Sequence, residues 1–252
     1  MRRTLLWSGP VLAVSFLALS ASRVPPVDIH AEWVKYANRA GDSVTAYLAY
    51  PERPDPAPAM IVIHEIFGLS DWIREVTEDL AEAGYVAIAP DLLSRRGGTA
   101  AQEDARRAIS GLPPDSITVD LDGAFEYLRS LKAVRGDAIG VIGFCWGGGQ
   151  SFRYATNNPR LKAAVVCYGP APDLATVGRI SAPVLGVYAE NDARINANLP
   201  DVERAMREAG KTFRHTIYPG TGHGFLRTRN QPSQADRAWQ DILAFLKERL
   251  GG

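Results

Sequence analysis

Residues 138–149, Ala-Ile-Gly-Val-Ile-Gly-Phe-Cys-Trp-Gly-Gly-Gly, constrain the fold more than any other stretch of the chain. A short apolar run rich in β-branched residues leads into a turn with glycine two residues before and two residues after Cys145, and a helical pattern follows. A strand that turns this sharply into a helix brings two backbones close together. Gly143 and Gly147 leave that space free of Cβ atoms, and the residue between them is pushed outward. The spacing is that of a nucleophile elbow, with a thiol in place of the usual hydroxyl. A buried structural cysteine beside a phosphate-binding loop is the competing reading. It lacks support, because no Gly-Lys-Ser/Thr follows and the glycines do not follow G-x-G-x-x-G spacing. A free thiol titrates near ~8.5, so the positive end of the helix behind Cys145 would help to make it a thiolate at neutral pH.

The rest of the chain supplies a setting for such a turn. Short apolar runs at 60–64, 85–89, 138–142, 163–168, 184–188 and 213–218 alternate with amphipathic stretches at 72–83, 116–131, 147–157, 199–209 and 235–250. That alternation is the sequence form of repeated βα units around a mostly parallel sheet with helices on both faces. The run 60–64 is continuous and rich in β-branched residues, as a strand buried on both sides should be. Residues 43–50 alternate like an edge strand, and the Pro-rich stretch after them cannot lie inside a sheet. The expectation is one α/β-hydrolase domain over residues 31–252, without internal repeats.

An elbow of this kind requires an acid and then a histidine later in the chain, each just beyond a strand. The run 184–188 ends in Ala-Glu-Asn-Asp, which makes Asp192 the expected orienting acid and Glu190 its competitor. The run 213–218 leads to Pro-Gly-Thr-Gly-His-Gly-Phe, which exposes His223 between glycines. His30, His64 and His215 are expected to be structural, with His64 in a position to shape the site. The backbone N–H of Trp146, directly after Cys145, is an expected oxyanion donor. Phe67, Trp146 and Phe225 are read either as apolar walls of the site or as core.

Composition narrows the partners. Lys plus Arg and Asp plus Glu balance at 28 each, so no net field favours nucleic acid or an anionic membrane. Two cysteines exclude a disulfide scaffold, and no metal-ligand spacing occurs, so neither metal nor cofactor is expected. Residues 1–22 differ in kind. Arg2 and Arg3 precede an apolar run over 5–19, and Ser20, Ala21 and Ser22 follow. The run is shorter than the ~20 residues a membrane-crossing helix needs. The expectation is a cleaved signal peptide, a periplasmic or secreted protein with no stable membrane insertion, and a monomer or small homo-oligomer. In an oxidising compartment the second cysteine, Cys167, could pair with Cys145, and the alternative is a buried small hydrophobe.

Together, His-Glu-Ile-Phe-Gly at 64–68, Pro-Asp-Leu at 90–92, Gly-Phe-Cys-Trp-Gly-Gly at 143–148 and His-Gly-Phe at 223–225 resemble the dienelactone hydrolase family over nearly all of the chain beyond the leader. The resemblance implies a Cys145-Asp192-His223 triad that opens enol-lactones through an acyl-enzyme. It implies that Glu65 gates the thiol by swinging to take its proton when substrate binds, and that the Ile66 N–H joins that of Trp146 in the oxyanion hole. It also implies carboxylate-binding arginines at Arg95 and Arg227, with Arg96 and Arg229 as the neighbouring alternatives. The resulting expectation is a hydrolase of small, carboxylate-bearing lactones or esters. The rivals are a broad esterase or thioesterase, and a non-catalytic secreted binding protein on the same fold.

Overall fold

The computed structural model describes residues 27–251. The leader expected over residues 1–22 lies outside them. Eight strands form one sheet in the order β1-β2-β4-β3-β5-β6-β7-β8. They are β1 Ile29–Ala37, β2 Ser43–Pro51, β3 Ala57–Ile63, β4 Val86–Pro90, β5 Val134–Phe144, β6 Ala163–Cys167, β7 Val184–Asn191 and β8 Phe213–Gly222. The pairs β1/β2 and β2/β4 are antiparallel, and from β4 to β8 every neighbour is parallel.

Each parallel crossover carries the chain back along a face of the sheet, and the helices α1 Asp71–Glu82, α2 Ala105–Ser110, α3 Pro114–Ser130, α4 Trp146–Asn157, α5 Ala193–Asn196, α6 Leu199–Glu208, α7 Phe225–Thr228 and α8 Pro232–Leu250 lie between or after the strands. With both faces covered, central strands have no polar side. In β3 all seven residues are buried: Ala59, Ile61 and Ile63 face the core shared with α3, α4 and α6, while Met60 and Val62 face the core shared with α1 and α8. The two-residue period of the strand separates these layers.

The expected edge position of residues 43–50 is corrected by the structure. β2 is second in the sheet, and β1 covers it from Ile29↔Pro51 to Ala37↔Ser43. β1 escaped the sequence reading because its outer face is solvated, with Trp33 54% exposed, and its mixture of charged and aromatic residues carries no core signal.

Parallel strands deliver all their carboxyl ends to one edge, and the strand order reverses at β3, which has β4 on one side and β5 on the other. A crevice is expected at such a switch point. Glu65 follows β3, Cys145 follows β5, Tyr168 follows β6, Asp192 follows β7 and His223 follows β8. The tightest packing in this edge is at the β5–α4 turn, where a Cβ on Gly143 would stand 2.0 Å from the Gly147 oxygen. Backbone on both sides leaves nothing to give way. Gly143→Ala is therefore expected to lower stability by about 3 kcal/mol or more, and a urea midpoint equal to wild type would contradict the crowding argument.

Candidate active site

Cys145 sits in the turn between β5 and α4 with φ 57 and ψ −118, a strained conformation for a residue with a side chain. Its N–H donates to the Cys167 carbonyl at 3.0 Å, which ties the turn to the end of β6. α4 begins at Trp146, so its positive end lies behind the sulfur. His223 Nε2 is 3.0 Å from Cys145 Sγ, and His223 Nδ1 is 2.5 Å from Asp192 Oδ2. Asp192 is buried and His223 is about one-third exposed. Thiol, imidazole and carboxylate thus form a continuous chain. The Cys145 sulfur, and behind it Asp192, lift the imidazole to about 9 against the opposing effect of burial. The competing acid, Glu190, instead accepts from the Gly220 N–H at 2.9 Å.

Glu65 is 2% exposed, and Arg227 Nε lies 2.8 Å from its Oε2. This charged contact is the partner of Oε2, and no further donor reaches that oxygen among the described residues. Burial raises the Glu65 carboxyl above its ordinary value, and Arg227 and then His223 counteract it only in part. The turn after β3 is fixed by Gly68 N–H to the Glu65 carbonyl at 3.2 Å and by His64. His64 is fully buried. Its Nδ1 lies 2.8 Å from the Glu65 carbonyl, and its Nε2 accepts from Leu92 N–H at 3.3 Å, which defines a neutral ring with Nδ1 protonated. Burial lowers its basicity, in keeping with a role in shaping the site. Among the described residues, neither the Ile66 N–H nor the Trp146 N–H is taken by another protein group.

The arginines divide differently from expectation. Arg227 belongs to the site, and its guanidinium also stacks 4.9 Å from the Phe67 ring centre. Arg95 does not belong to it. Arg95 Nε pairs with Asp42 at 2.7 Å, and its Nη2 pairs with the buried Asp120 at 2.6 Å, so it is committed to bracing the β1–β2 turn against α3. The alternative, Arg96, caps the carbonyls of Ala108 and Gly111, and the other, Arg229, pairs with Asp236. The cation that accompanies Arg227 is Arg106, in α2, stacked 4.8 Å from the centre of Phe67. No local motif marks Arg106: the recognisable Pro-Asp-Leu lies at 90–92, and α2 begins well beyond it. Phe225, expected as a wall or as core, is core: it is fully buried against Tyr168 and Tyr218.

Arg227 also walls a recess of about 230 Å³ lined with Trp72, Phe144, Leu226 and Trp239. Both thiols are free, and Cys167 is buried, which pushes its thiol well above its ordinary value. Among the described residues no group of three or more His, Cys, Asp or Glu is arranged to hold a metal ion, and no helix is long and apolar enough to cross a membrane.

Residues 44–250 match the dienelactone hydrolase family. A Methylorubrum extorquens protein named "Putative carboxymethylenebutenolidase" is 34% identical over 81% of this chain and 77% of its own length. A protein of the same name from Escherichia coli K12 is 33% identical over 97% and 96%. The crystal structure of a "Putative Dienelactone Hydrolase" from Klebsiella pneumoniae superposes with a TM-score of 0.80 at 31% identity, covering 87% of this chain and 98% of that one.

Two measurements test the site as drawn. Arg95→Ala leaves Asp120 buried with Asn38 alone, and is expected to cost on the order of 3 kcal/mol while changing ester hydrolysis less than twofold. A stable variant that hydrolyses poorly would return Arg95 to the site. The raised imidazole binds its proton more tightly in the folded than in the unfolded chain. The stability it contributes is whole below its ordinary value of 6.5 and is lost as pH rises through about 9. In Asp192→Asn the His223 titration, followed by NMR, is expected to move down toward 6.5, and unfolding free energy should fall less steeply between those pH values. An unmoved midpoint would contradict the pairing.

Proposed function

The chain belongs to the dienelactone hydrolase family and is a hydrolase of lactone and ester bonds, and on that premise we propose that it cleaves small, carboxylate-bearing substrates with Cys145 as nucleophile, His223 as proton carrier and Asp192 as the orienting acid. The observation that carries this reading is the unbroken contact from Cys145 Sγ to His223 Nε2 and from His223 Nδ1 to Asp192 Oδ2.

In the proposed sequence the substrate carboxylate enters between Arg106 and Arg227, whose planar forks suit a bidentate partner. Drawing Arg227 toward substrate removes the counter-charge from Glu65. A buried carboxylate without its cation becomes a stronger base, and Glu65 takes the proton of the Cys145 thiol. The thiolate then attacks the carbonyl carbon, and its oxygen is received by the N–H groups of Ile66 and Trp146. Collapse forms a thioester, breaks the ester C–O bond and sends the enolate or alkoxide off with a proton from His223. Water, deprotonated by His223, attacks the thioester; collapse breaks the C–S bond and releases the second carboxylate, its proton going to solvent, and the Cys145 thiolate takes back the proton held by Glu65. Neither metal nor cofactor enters this scheme.

Export belongs to the same proposal, resting on the residue pattern of 1–22, and a mature N-terminus upstream of residue 20 would contradict it. The central test compares a dienelactone with a neutral aryl ester. Cys145→Ala is expected to abolish both activities. Arg106→Ala is expected to reduce kcat/KM for the dienelactone by roughly 10- to 100-fold, the worth of a charge-assisted contact, and to affect the aryl ester far less. Equal loss on both substrates would favour a broad esterase whose arginines are incidental.

A further inference from the structure

Tyr168 is the residue at this sheet edge that the scheme above leaves unused. It follows β6, directly after the carbonyl that holds Cys145. Its backbone has φ 38, in the left-handed region, which costs a bulky residue about 1–3 kcal/mol. The ring is fully buried, edge-on to His223 with centres 5.2 Å apart, and backed by Phe225 at 5.8 Å and Phe144 at 6.5 Å. A phenylalanine would fill this slot equally well. The hydroxyl, however, has no hydrogen-bond partner, a further cost of about 1–3 kcal/mol. Burial, and then the acidic groups of Cys167, Glu65 and Cys145, hold the phenol well above its ordinary value, so it remains a donor throughout.

Glu65 has the opposite sense: its Oε2 is an acceptor whose neighbour is the Arg227 guanidinium, and it is left without a partner when that cation moves. Strain and an orphaned donor persist in a packed site where a changed state of that site uses them. We infer that Tyr168 is a positioning residue for Glu65: its hydroxyl receives the carboxylate once Arg227 has been drawn off, and holds it toward Cys145. This deepens the reading of Glu65 and Arg227 given above and rests on it. The phenolic O–H bond stays intact. One carboxylate oxygen accepts from it, while the other takes the proton as the Cys145 S–H bond breaks.

The test measures kcat, KM and Tm for wild type, Tyr168→Phe, Glu65→Gln and the double variant, with a dienelactone and a neutral aryl ester. In Tyr168→Phe, kcat for the dienelactone is expected to fall about tenfold, the worth of one such hydrogen bond. KM should stay within twofold, and Tm should be equal or higher because an orphaned donor is gone. The loss should exceed that on the aryl ester and vanish in the Glu65→Gln background. A wild-type kcat, or an undiminished loss beside Glu65→Gln, overturns the inference. Tyr168→Met, which also lacks the hydroxyl, replaces Tyr168→Phe if the latter does not fold, and the same outcomes decide. If Arg227→Ala leaves the ratio of the two substrates unchanged, the carboxylate reading itself has failed. If that ratio collapses while Tyr168→Phe behaves as wild type, only the role of Tyr168 has failed.

Discussion

The first turn of α4 is pressed against the carboxyl end of β3 so closely that a Cβ on Gly147 would lie 2.3 Å from the His64 carbonyl oxygen. This backbone-to-backbone contact sets the site. It locks the elbow of Cys145 to the strand that delivers Glu65, and the Cys145 N–H bond to Cys167 locks the same elbow to β6 on the other side. Three strand ends are thereby held in one register at a single helix terminus. The charged side chains beyond them meet at fixed distances because the backbones cannot drift apart.

The burial of Glu65 acquires its meaning in this rigid frame. A carboxylate at 2% exposure needs compensation, and the compensation arrives from a distant part of the chain, in the short helix after His223. Glu65 and Arg227 are 162 positions apart in sequence (227 − 65), yet they face each other because β3 and β8 both end at the same edge. His64 contributes by using both ring nitrogens on backbone, which pins the turn that aims Glu65.

Much of this was legible in the residues. The unbroken apolar run of β3 and the alternation of strand and helix periods follow from burial on both sheet faces, a constraint each residue expresses locally. Cys145, Asp192 and His223 were legible for the same reason, since each sits in a turn just after a strand, flanked by glycines at Cys145 and His223, and these are local facts. What escaped depends on pairing across space. β1 turns only Val34 and Tyr36 toward the core shared with α3, on either side of Lys35, too few to mark a strand by period. Arg95 and Arg106 are both arginines in the segment after β4, and nothing in their neighbours separates the one that meets Asp42 and Asp120 from the one that stacks on Phe67. Phe225 reads equally well as wall or core from its neighbours in sequence, and only its contacts with Tyr168 and Tyr218 make it core.

The Arg227–Glu65 contact ties two properties together that enzymes often vary separately. On the proposed reading, the guanidinium that a substrate carboxylate seeks is the one that neutralises a buried carboxylate, so a ligand that draws Arg227 away parts an existing pair, and part of its binding energy goes into that separation. Such a site trades affinity for responsiveness. Tightening the grip on an anion by strengthening Arg227 also deepens the resting state, while loosening the resting pair weakens recognition. Divergence toward new substrates is therefore expected to proceed through residues that do not touch this pair, such as the aromatic walls of the adjoining recess, leaving the two charged groups to change only together.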